Sequence, residues 1–304
     1  QLGINIQIGH SSKNITNPDL VVYSSAVNLD NIEIMESKNR AIPIIRRAEM
    51  LGELLKLKKM SIAISGTHGK TTTCSMLSSI LIEANLKPTL VIGGIVNNFG
   101  SNAISGQGDI IVVEADEFDR SFLSLKPTMS IINNLDLEHT DCYKDINEVK
   151  KAFITFINSL PFYGITGICI DDKNIRDIIN KIKRPYKTFG LDSKANIRAK
   201  NIKYSGFEST FSLFVNNKFM HDFKLFVPGK HNIQNSLAAI TMALELNINI
   251  DIIKRGLEKY NGVKRRLEIT HHLDNGTILI DDYAHHPSEI KASISAIKKA
   301  FNNR

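Results

Sequence analysis

The sequence has no tryptophan and only three cysteines, Cys74, Cys142 and Cys169, among its 304 residues. Such an odd, sparse set without a Cys-x-x-Cys pair argues against a disulfide framework and favours a reducing compartment. No stretch approaches the roughly 20 consecutive apolar residues of a membrane span, and no signal peptide is visible. We therefore expect a cytoplasmic globular protein without a membrane partner.

Positive charge is in moderate excess, because 38 Lys and Arg residues against 31 Asp and Glu residues give a formal net charge of +7. The basic residues are scattered in short clusters, such as those at 181–184 and 264–266, and no basic stripe is interleaved with aromatic residues. A positive charge suits either a nucleic acid or acidic small substrates. The absence of a stripe argues against the first, so we expect no nucleic acid partner, and the frequent lysines are more typical of a genome-wide bias than of a binding surface.

Short apolar runs alternate with helical patterns over residues 60–182, which predicts a parallel sheet with helices on both faces. The predicted strands are 60–65, 109–113, 129–133 and 167–170, and the predicted helices are 71–85, 149–160 and 175–182. Residues 195–227 break this rhythm. Their alternation of apolar and polar residues, with Asn216-Asn217 as a hairpin turn, predicts an antiparallel ribbon appended to the sheet.

Further α/β segments occupy both ends of the chain. Strands are predicted at 5–9 and 20–23, and a helical region with Pro43 near its start at 39–58. After helices at 232–246 and 252–260 and a linker at 262–266, a strand at 277–281 and a helix at 287–301 are predicted. A length of 304 residues suggests about two domains. Because the chain does not begin with methionine and stops just after a helix, we expect a fragment at both ends.

Residues 66–73, Gly-Thr-His-Gly-Lys-Thr-Thr-Thr, join a predicted strand to a predicted helix. Glycines let the backbone approach phosphate oxygens, and the helix N-terminus adds positive charge. The lysine would reach the β- and γ-phosphates of ATP, and the hydroxyl after it would bind magnesium. Ile64 stands where the general pattern has a further glycine, so an ordinary turn with a chance lysine is the alternative. The predicted ATP-binding residues here are Gly66, Thr67, His68, Gly69, Lys70, Thr71 and Thr72.

Polar residues also follow two other predicted strands. Glu114 comes directly after the strand at 109–113, and His139 follows the strand at 129–133. Because ligands bind beyond the carboxyl ends of parallel strands, Glu114 is placed to bind Mg²⁺, a hard ion that prefers oxygen. His139 could bind a second metal ion or polarise a phosphate. A solvated acidic loop and a hydrogen-bonding histidine are the alternatives.

Together these segments resemble the Mur ligases of peptidoglycan synthesis over nearly the whole chain. The resemblance is carried by motifs in the right order, at 66–73, 114–117, 134–139, 229–235, 262–266 and 281–287. Any one of them is weak, but several in order are specific. Ser-Ser-Ala-Val at 24–27 and Arg-Ala-Glu-Met-Leu at 47–51 are most similar to the alanine-adding members of the family.

The resemblance implies an α/β enzyme with a central P-loop parallel sheet domain that carries an antiparallel ribbon. Partial Rossmann-like N-terminal and C-terminal domains would flank it. Residues 1–58 would belong to the UDP-sugar domain, 59–264 would bind ATP, and 265–304 would begin the domain that closes over the site and brings the amino acid. The resemblance further implies a cytoplasmic bacterial enzyme that ligates L-alanine to the lactyl carboxylate of UDP-N-acetylmuramate and uses ATP and two Mg²⁺ ions.

The resemblance also assigns roles to single residues. Lys70 and Thr71 would handle the γ-phosphate and magnesium, while Glu114 and His139 would hold the magnesium that bridges phosphate and substrate carboxylate. Asn235 would contact adenine, and Arg266 and Asp282 would contact phosphate and ribose. The residues implied to hold the UDP-sugar and its muramyl part are His10, Asn14, Ser24, Ser25, Asn97, Asn98 and Asn102. Those implied to lie near the amino acid are Tyr283, His285 and His286.

These assignments have structural alternatives. Asn235 would otherwise be a helix-face amide, Arg266 a solvated linker charge, and the pair His285-His286 a cap for the helix that starts near Pro287. Ser24 and Ser25 would be turn residues.

The chain departs from the family pattern at three places. Some relatives carry a modified, metal-binding lysine on the helix after the histidine, where we align Phe153, although a shift in alignment would bring Lys151 near that position. The glycine-rich turn that opens the first domain is absent, and the third domain stops after about forty residues.

Two rival functions remain open: a sister ligase that attaches a preformed peptide to the same nucleotide sugar, and an ATP-binding switch without ligase activity. A third alternative is that the fragment itself binds ATP but catalyses nothing. The sequence leaves monomer and homodimer undecided.

Overall fold

Apolar strands and helices alternate along the computed structural model, which describes residues 3–97, 100–138 and 140–301. The chain divides into two units, Gln1–Leu57 and Lys58–Arg304. A separate domain beginning at residue 265 stays a prediction, because residues 265–301 lie within the second unit. No helix in the described ranges is long and apolar enough to span a membrane.

The first unit is a small α/β element. Two short strands, β1 (Val21–Tyr23) and β2 (Ile44–Arg46), pair in parallel, and helices α1 (Ile32–Asn39) and α2 (Arg47–Leu55) follow them in turn. The predicted strand at 5–9 is wrong, since those residues form no strand. The predicted helix over 39–58 is wrong in its first half. The chain turns at Ala41, where φ is positive, and is extended from Ile44 to Arg46. Pro43 also disfavours a helical conformation in the residue before it.

The second unit is built on a sheet of ten strands within the described residues. Their order is β12-β11-β10-β9-β8-β7-β3-β6-β4-β5, and the pairs between β10 and β4 are all parallel. The strands are β3 (Met60–Ser65), β4 (Thr89–Val96), β5 (Ser101–Ile104), β6 (Ile110–Glu114), β7 (Met129–Ile132), β8 (Ile165–Cys169), β9 (Tyr186–Gly190), β10 (Ile197–Ser205), β11 (Glu208–Val215) and β12 (Lys218–Leu225). The predicted parallel α/β sheet is therefore confirmed.

Helices pack on this sheet and on one another. They are α3 (Lys70–Glu83), α4 (Ile146–Asn158), α5 (Lys173–Ile178), α6 (Lys230–Glu245) and α7 (Ile250–Glu258). Helix α3 is buried on every side from Thr71 to Leu81. The neighbours α6 and α7 cover its outer side, and a Cβ on Gly256 of α7 would lie only 2.6 Å from the Ile80 Cα. Helix α3 is thus held rigidly behind the loop that precedes it.

The predicted antiparallel ribbon is also confirmed. Strands β10, β11 and β12 pair antiparallel at one edge of the sheet. Asn216 and Asn217 join β11 to β12 with φ angles of 47° and 69°, the left-handed values that a two-residue hairpin turn requires.

The last part of the second unit consists of an antiparallel pair, β13 (Glu268–His272) and β14 (Ile278–Asp281), and helix α8 (Pro287–Ala300). The sequence predicted β14 and α8 but not β13. His286 precedes α8 as its N-cap and accepts a hydrogen bond from the Ser288 backbone.

Candidate active site

The loop between β3 and α3 runs closely past polar neighbours. Gly69 has a φ of 80°, in the region that favours glycine, and a Cβ there would lie 2.5 Å from the Asn235 Oδ1. Gly66 has a φ of 129°, and a Cβ there would lie 3.0 Å from the Asn133 backbone nitrogen. Both glycines therefore fix the course of the loop. Ile64, where the general pattern has a further glycine, is a fully buried residue of β3.

The segment after β7 holds this loop in place. The His68 N–H donates to the Asn134 Oδ1 at 2.7 Å, and the Asn134 Nδ2 donates back to the His68 carbonyl at 3.1 Å. The Asp136 N–H donates to the Thr67 Oγ1 at 2.9 Å. The loop conformation therefore depends on the polar motif after β7 as well as on its own glycines.

Lys70 begins α3 with its side chain turned into the protein. Its Nζ donates to the Glu117 Oε2 at 2.7 Å and to the Thr67 carbonyl at 3.2 Å, and the Asp116 Oδ1 lies 3.6 Å away. Burial disfavours the ammonium, but the carboxylates of Glu117 and Asp116 outweigh burial and raise the pKa of Lys70 above its ordinary value. Lys70 therefore stays a cation, as a phosphate-binding lysine must.

Thr71 and Glu114 meet where β3 and β6 end. The Thr71 Oγ1 lies 3.0 and 2.9 Å from the two carboxylate oxygens of Glu114. The Gly93 N–H on β4 donates to the Glu114 Oε2 at 2.8 Å and orients the carboxylate. A hydroxyl and a carboxylate this close are the hard oxygen ligands that Mg²⁺ prefers, so these residues fit a magnesium ion. The predicted ligand His139 lies outside the described residues, as does Asn98.

A cavity of about 300 Å³ opens beside the loop, at the lower end of the range for small-molecule sites. The predicted ATP-binding residues that line it are His68, Gly69, Thr71, Thr72, Asn235, Arg266 and Asp282. His231 also lines it, and burial lowers the pKa of His231 to about 4, so that imidazole is neutral at neutral pH. The structure thus gathers residues from α3, α6 and the 265–293 segment around one cavity.

The predicted adenine and ribose residues sit differently in this cavity. Asn235 is buried on α6 against Gly69. The Arg266 guanidinium lies 5.4 Å from the centre of the Tyr283 ring. The Asp282 carboxylate accepts hydrogen bonds from the backbone N–H groups of Leu267 at 2.8 Å and Ala284 at 2.9 Å. Asp282 therefore fastens the segment around it, while Arg266 is neither buried nor fully exposed.

His68 joins the loop to the start of α8. Its Nδ1 lies 3.2 Å from the Glu289 Oε1, and its Nε2 lies 3.0 Å from the Ser288 Oγ. Burial disfavours the imidazolium, but the carboxylates of Glu289, Glu138 and Asp136 outweigh burial and raise the pKa of His68. Against the effect of its own burial, the contact with His68 lowers the pKa of Glu289 to about 2. An ion pair therefore connects the loop to α8 when His68 is protonated.

His68, Asp136 and His286 each bring one possible metal ligand atom within 4.8 Å of the others. The Ser288 hydroxyl lies between them, at 3.0 Å from the His68 Nε2, 3.1 Å from the Asp136 Oδ2 and 2.5 Å from the His286 Nδ1. With one proton to donate and two lone pairs to accept, the Ser288 hydroxyl links these three groups to the start of α8. We therefore interpret the cluster as the junction between α8 and the loop.

The three residues predicted to lie near the amino acid are close together in the chain but face different neighbours. The Tyr283 ring packs under the guanidinium of Arg265, 4.9 Å from its centre. The His285 Nε2 lies 3.4 Å from the Glu138 Oε1, whereas the His286 Nδ1 caps α8. One histidine thus serves as the helix cap, and the other extends toward the motif after β7.

The predicted sugar-binding residues fall in both units. In the first unit, the His10 Nδ1 lies 2.8 Å from the Glu33 Oε2 and the Asn14 Nδ2 donates to the Glu33 Oε1 at 2.6 Å. These hydrogen bonds lower the pKa of Glu33. Because both residues bind the same carboxylate, Glu33 holds His10 and Asn14 next to each other. Ser24 and Ser25 lie in the turn after β1, and the Ser24 Oγ accepts from the Ala26 N–H.

In the second unit, the Asn97 Nδ2 donates to the Asn261 carbonyl at 3.1 Å, so this predicted residue contacts the linker after α7. Asn102 is exposed on β5. Neither residue lines the cavity beside the loop.

The helix after the predicted metal-binding histidine offers no inward lysine. Phe153 on α4 is fully buried, with its ring 5.1 Å from that of Phe122. Lys151 is exposed, and the Lys150 Nζ pairs with the Asp177 Oδ2 at 2.8 Å.

Sequence reasoning gave no role to three residues that shape the site. Gly93 orients Glu114, Asn133 donates to the Thr73 Oγ1 at 3.0 Å, and Glu117 pairs with Lys70. Glu117 is the last residue of the motif at 114–117, and Asn133 directly precedes the motif at 134–139. These positions are the signal in the sequence from which both residues could have been found. Gly93 has no such signal, because its contact exists only once β4 lies beside β6.

Comparison with family models decides the family. Residues 64–243, more than half of the chain, match the Mur ligase middle domain, and residues 1–59 match the catalytic domain of the Mur ligase family. The chain belongs to the Mur ligase family.

This Mur ligase is similar to named relatives and to solved structures. It is 45% identical over 303 residues to the UDP-N-acetylmuramate–L-alanine ligase of Geotalea uraniireducens, a match that covers 100% of the chain and 66% of that protein. The crystal structure of the UDP-N-acetylmuramate–alanine ligase of Thermotoga maritima matches with a TM-score of 0.86 and 31% identity, over 99% of the chain and 69% of that structure.

A second solved structure is that of a ligase whose name contains a peptide in place of alanine. The UDP-N-acetylmuramate:L-alanyl-γ-D-glutamyl-meso-diaminopimelate ligase of Neisseria meningitides matches with a TM-score of 0.77 and 25% identity, over 87% of the chain and 86% of that structure. The lower score and identity place the Mur ligase chain nearer to the alanine ligases.

Proposed function

We propose that this chain is the ATP-binding core of an enzyme that ligates L-alanine to the lactyl carboxylate of UDP-N-acetylmuramate, giving ADP and phosphate. The observation that carries the proposal is the joint placement of Lys70 and the Thr71–Glu114 pair at one phosphate loop. The loop lysine and the oxygen ligands then serve the same triphosphate. The 45% identity to a named alanine ligase supports the choice of substrates.

The reaction proceeds through an acyl phosphate. A lactyl carboxylate oxygen attacks the γ-phosphorus of ATP, the bond to the β–γ bridging oxygen breaks, and ADP leaves. The neutral α-amine of L-alanine then attacks the acyl carbon, the carbon–oxygen bond to phosphate breaks, and the amine gives up a proton. The products are the amide and inorganic phosphate.

The main energetic obstacle is charge, because a carboxylate must approach a triphosphate. Lys70 offsets this repulsion at the loop, and the backbone between Gly66 and Gly69 positions the phosphates. Thr71 and Glu114 would hold a magnesium ion, with the predicted ligand His139, and bound magnesium supplies further charge neutralisation. Two magnesium ions, as the family resemblance implies, are part of the proposal.

The remaining assignments extend this proposal. Asn235 would contact adenine, and Arg266 and Asp282 would contact phosphate and ribose from the segment that borders the cavity. His10, Asn14, Ser24 and Ser25 would hold the nucleotide sugar, with Asn97, Asn98 and Asn102 at its muramyl part. Tyr283, His285 and His286 would lie near L-alanine. A closed arrangement would exclude water from the acyl phosphate.

The test is phosphate release by the full-length protein with ATP, UDP-N-acetylmuramate and a panel of amino acids and peptides. We expect release that requires both UDP-N-acetylmuramate and L-alanine and that Lys70→Ala abolishes. Release that requires the preformed tripeptide named for the Neisseria relative would identify the sister ligase instead. ATP hydrolysis indifferent to UDP-N-acetylmuramate would favour a switch protein, and normal ligation by Lys70→Ala would exclude the phosphate-loop assignment.

A further inference from the structure

The ammonium group of Lys70 has three polar neighbours that differ in how firmly they are fixed. Its Nζ donates to the Glu117 Oε2 at 2.7 Å and to the Thr67 carbonyl at 3.2 Å, and the Asp116 Oδ1 lies 3.6 Å away. An ammonium group has three N–H donors, so its third donor is the one available to Asp116. A phosphate oxygen must take the place of one of these neighbours when ATP binds.

Glu117 is the neighbour least able to leave. It is 2% exposed, and its backbone carbonyl accepts a hydrogen bond at 2.8 Å from the hydroxyl of Tyr143, which is itself 1% exposed. Among the described residues, the Glu117 Oε1 has no hydrogen-bond partner. A buried carboxylate with an unpartnered oxygen is costly unless a cation neutralises it, so Glu117 depends on Lys70.

Asp116 differs from Glu117 in the exposure of its side chain and in its distance to Lys70, although its backbone carbonyl also accepts hydrogen bonds, from the Phe122 N–H and the Ser121 hydroxyl. Its side chain is 58% exposed, and its distance to the Lys70 Nζ is beyond that of a hydrogen bond. Lys70 itself is only 12% exposed, so Asp116 supports its charge, but through a longer contact that lacks a hydrogen bond. The Asp116 Oδ1 also accepts a hydrogen bond at 3.3 Å from the Phe118 N–H, so the carboxylate keeps a partner and contact with solvent when a phosphate oxygen takes its place beside Lys70.

We propose that Glu117 is the positioning residue of the phosphate-binding lysine, which stays paired with it while a phosphate oxygen of ATP replaces Asp116. This inference rests on the proposed function, because it assumes that Lys70 binds the phosphates of ATP. With two donors held by Glu117 and Thr67, the third points to one place. The lysine then meets the transferring γ-phosphoryl group in a single orientation. Such positioning lowers the activation barrier of phosphoryl transfer.

The experiment compares two substitutions that make the same chemical change at adjacent positions of the full-length enzyme. Glu117→Gln keeps the shape of the side chain and removes its charge. We expect kcat to fall about 100-fold, the cost of misplacing a reacting group by about 1 Å, while the Kd for ATP stays at the parental value. Asp116→Asn is the comparison variant, and we expect it to lose less kcat than Glu117→Gln and to bind ATP with equal or higher affinity.

Thermal unfolding supplies a readout that a general structural role would not give. Lys70→Ala leaves the Glu117 carboxylate buried without its cation, so we expect a lower Tm. Adding Glu117→Gln to Lys70→Ala removes that unpaired charge and should restore part of the Tm. A Glu117 that acted only in packing would lower the Tm by the same amount in both backgrounds.

Several results would overturn the inference. Parental kcat in folded Glu117→Gln, equal losses of kcat in the Glu117 and Asp116 variants, or a Tm that falls further in the double variant would each do so. If Glu117→Gln alone does not fold, the double variant decides through its Tm. Should the parental enzyme release no phosphate in response to UDP-N-acetylmuramate and L-alanine, the proposed function fails instead, which separates the two failures.

Discussion

At the scale of single residues, Glu114 connects the phosphate loop to the rest of the sheet. Its carboxylate contacts the Thr71 hydroxyl from one side and the Gly93 N–H from the other. The second contact holds the carboxylate in position before any ion arrives. Such support is what gives an oxygen site its geometry, because Mg²⁺ tolerates little deviation from octahedral coordination.

We predict that Glu114→Ala in the full-length enzyme lowers activity at fixed magnesium and that added magnesium restores part of it. Loss of a residue that only supports a metal ligand typically costs 10- to 100-fold in metal affinity, so for the ligand Glu114 we expect the half-saturating magnesium concentration to rise by at least about 10-fold. Glu208→Ala, which removes an exposed ion pair with Lys224 on the ribbon, is the control and should not change it. A magnesium dependence identical to that of the parent would remove Glu114 from the metal site.

Residue-level prediction worked best where a motif reports a local backbone demand. Gly66 and Gly69 stand out in the sequence because phosphate loops need glycine, and the structure places both where a Cβ would collide. Glu117 carries no such local demand. Its pairing with Lys70 joins residues 47 positions apart and follows from the parallel pairing of β3 with β6, a fact that no local pattern contains.

At the scale of elements, the contact between the phosphate loop and helix α8 is sensitive to pH. His68 on the loop pairs with Glu289 on α8 at 3.2 Å. The pKa of Glu289, ordinarily 4.5, is lowered to about 2, so its contribution is present above pH 4.5 and is lost as the pH falls toward 2. The pKa of His68 is raised above its ordinary value of 6.5, so its contribution is complete below pH 6.5 and is lost as the pH rises through the raised pKa.

We therefore predict that the ion pair stabilises the docking of α8 most between about pH 4.5 and pH 6.5. Amide hydrogen exchange of α8, measured on the parent and on Glu289→Gln, checks this. The difference in protection between the two proteins should be largest in that window and should shrink at higher pH. Glu258→Gln on α7 is the control variant, and a difference that grows as His68 loses its proton would contradict the assignment.

Elements were predictable where their apolar pattern was long and regular. The strands around the loop, the ribbon and helices α6 and α7 were all found, with ends shifted by a few residues. Strand β4 was missed because Gly93 and Gly94 interrupt it and glycine weakens a strand pattern. The 39–58 region was misassigned because Ile44 and Ile45 fit either period, and only pairing with β1 settles β2 as a strand.

At the scale of the whole molecule, the chain consists of two units with different predicted ligands. The first unit contains the His10–Glu33–Asn14 cluster, and the second contains the loop and the cavity with Asn235. The chain spans 66% of the length of its Geotalea relative, so the proposed reaction belongs to the full-length protein. Fold and family follow from motif order across the chain, whereas the sugar contacts depend on how single side chains are placed.

If each unit binds its own substrate, substitutions in the two units should separate kinetically. We predict that Asn235→Ala raises the KM for ATP and leaves that for UDP-N-acetylmuramate unchanged, because Asn235 lies against the phosphate loop. His10→Ala should do the reverse. The loss of one hydrogen bond costs about 0.5–1.5 kcal/mol, so each KM should rise roughly 2- to 12-fold. Steady-state kinetics of the full-length variants measure both constants.

Glu53→Ala, which removes an exposed ion pair with Lys56 on α2, controls for general effects of mutating the first unit. Its two KM values should equal those of the parent. Parallel increases of both constants in His10→Ala would mean that the substitution disturbs the fold of the unit around Glu33. An increase confined to the KM for ATP would mean that the first unit does not hold the nucleotide sugar through His10.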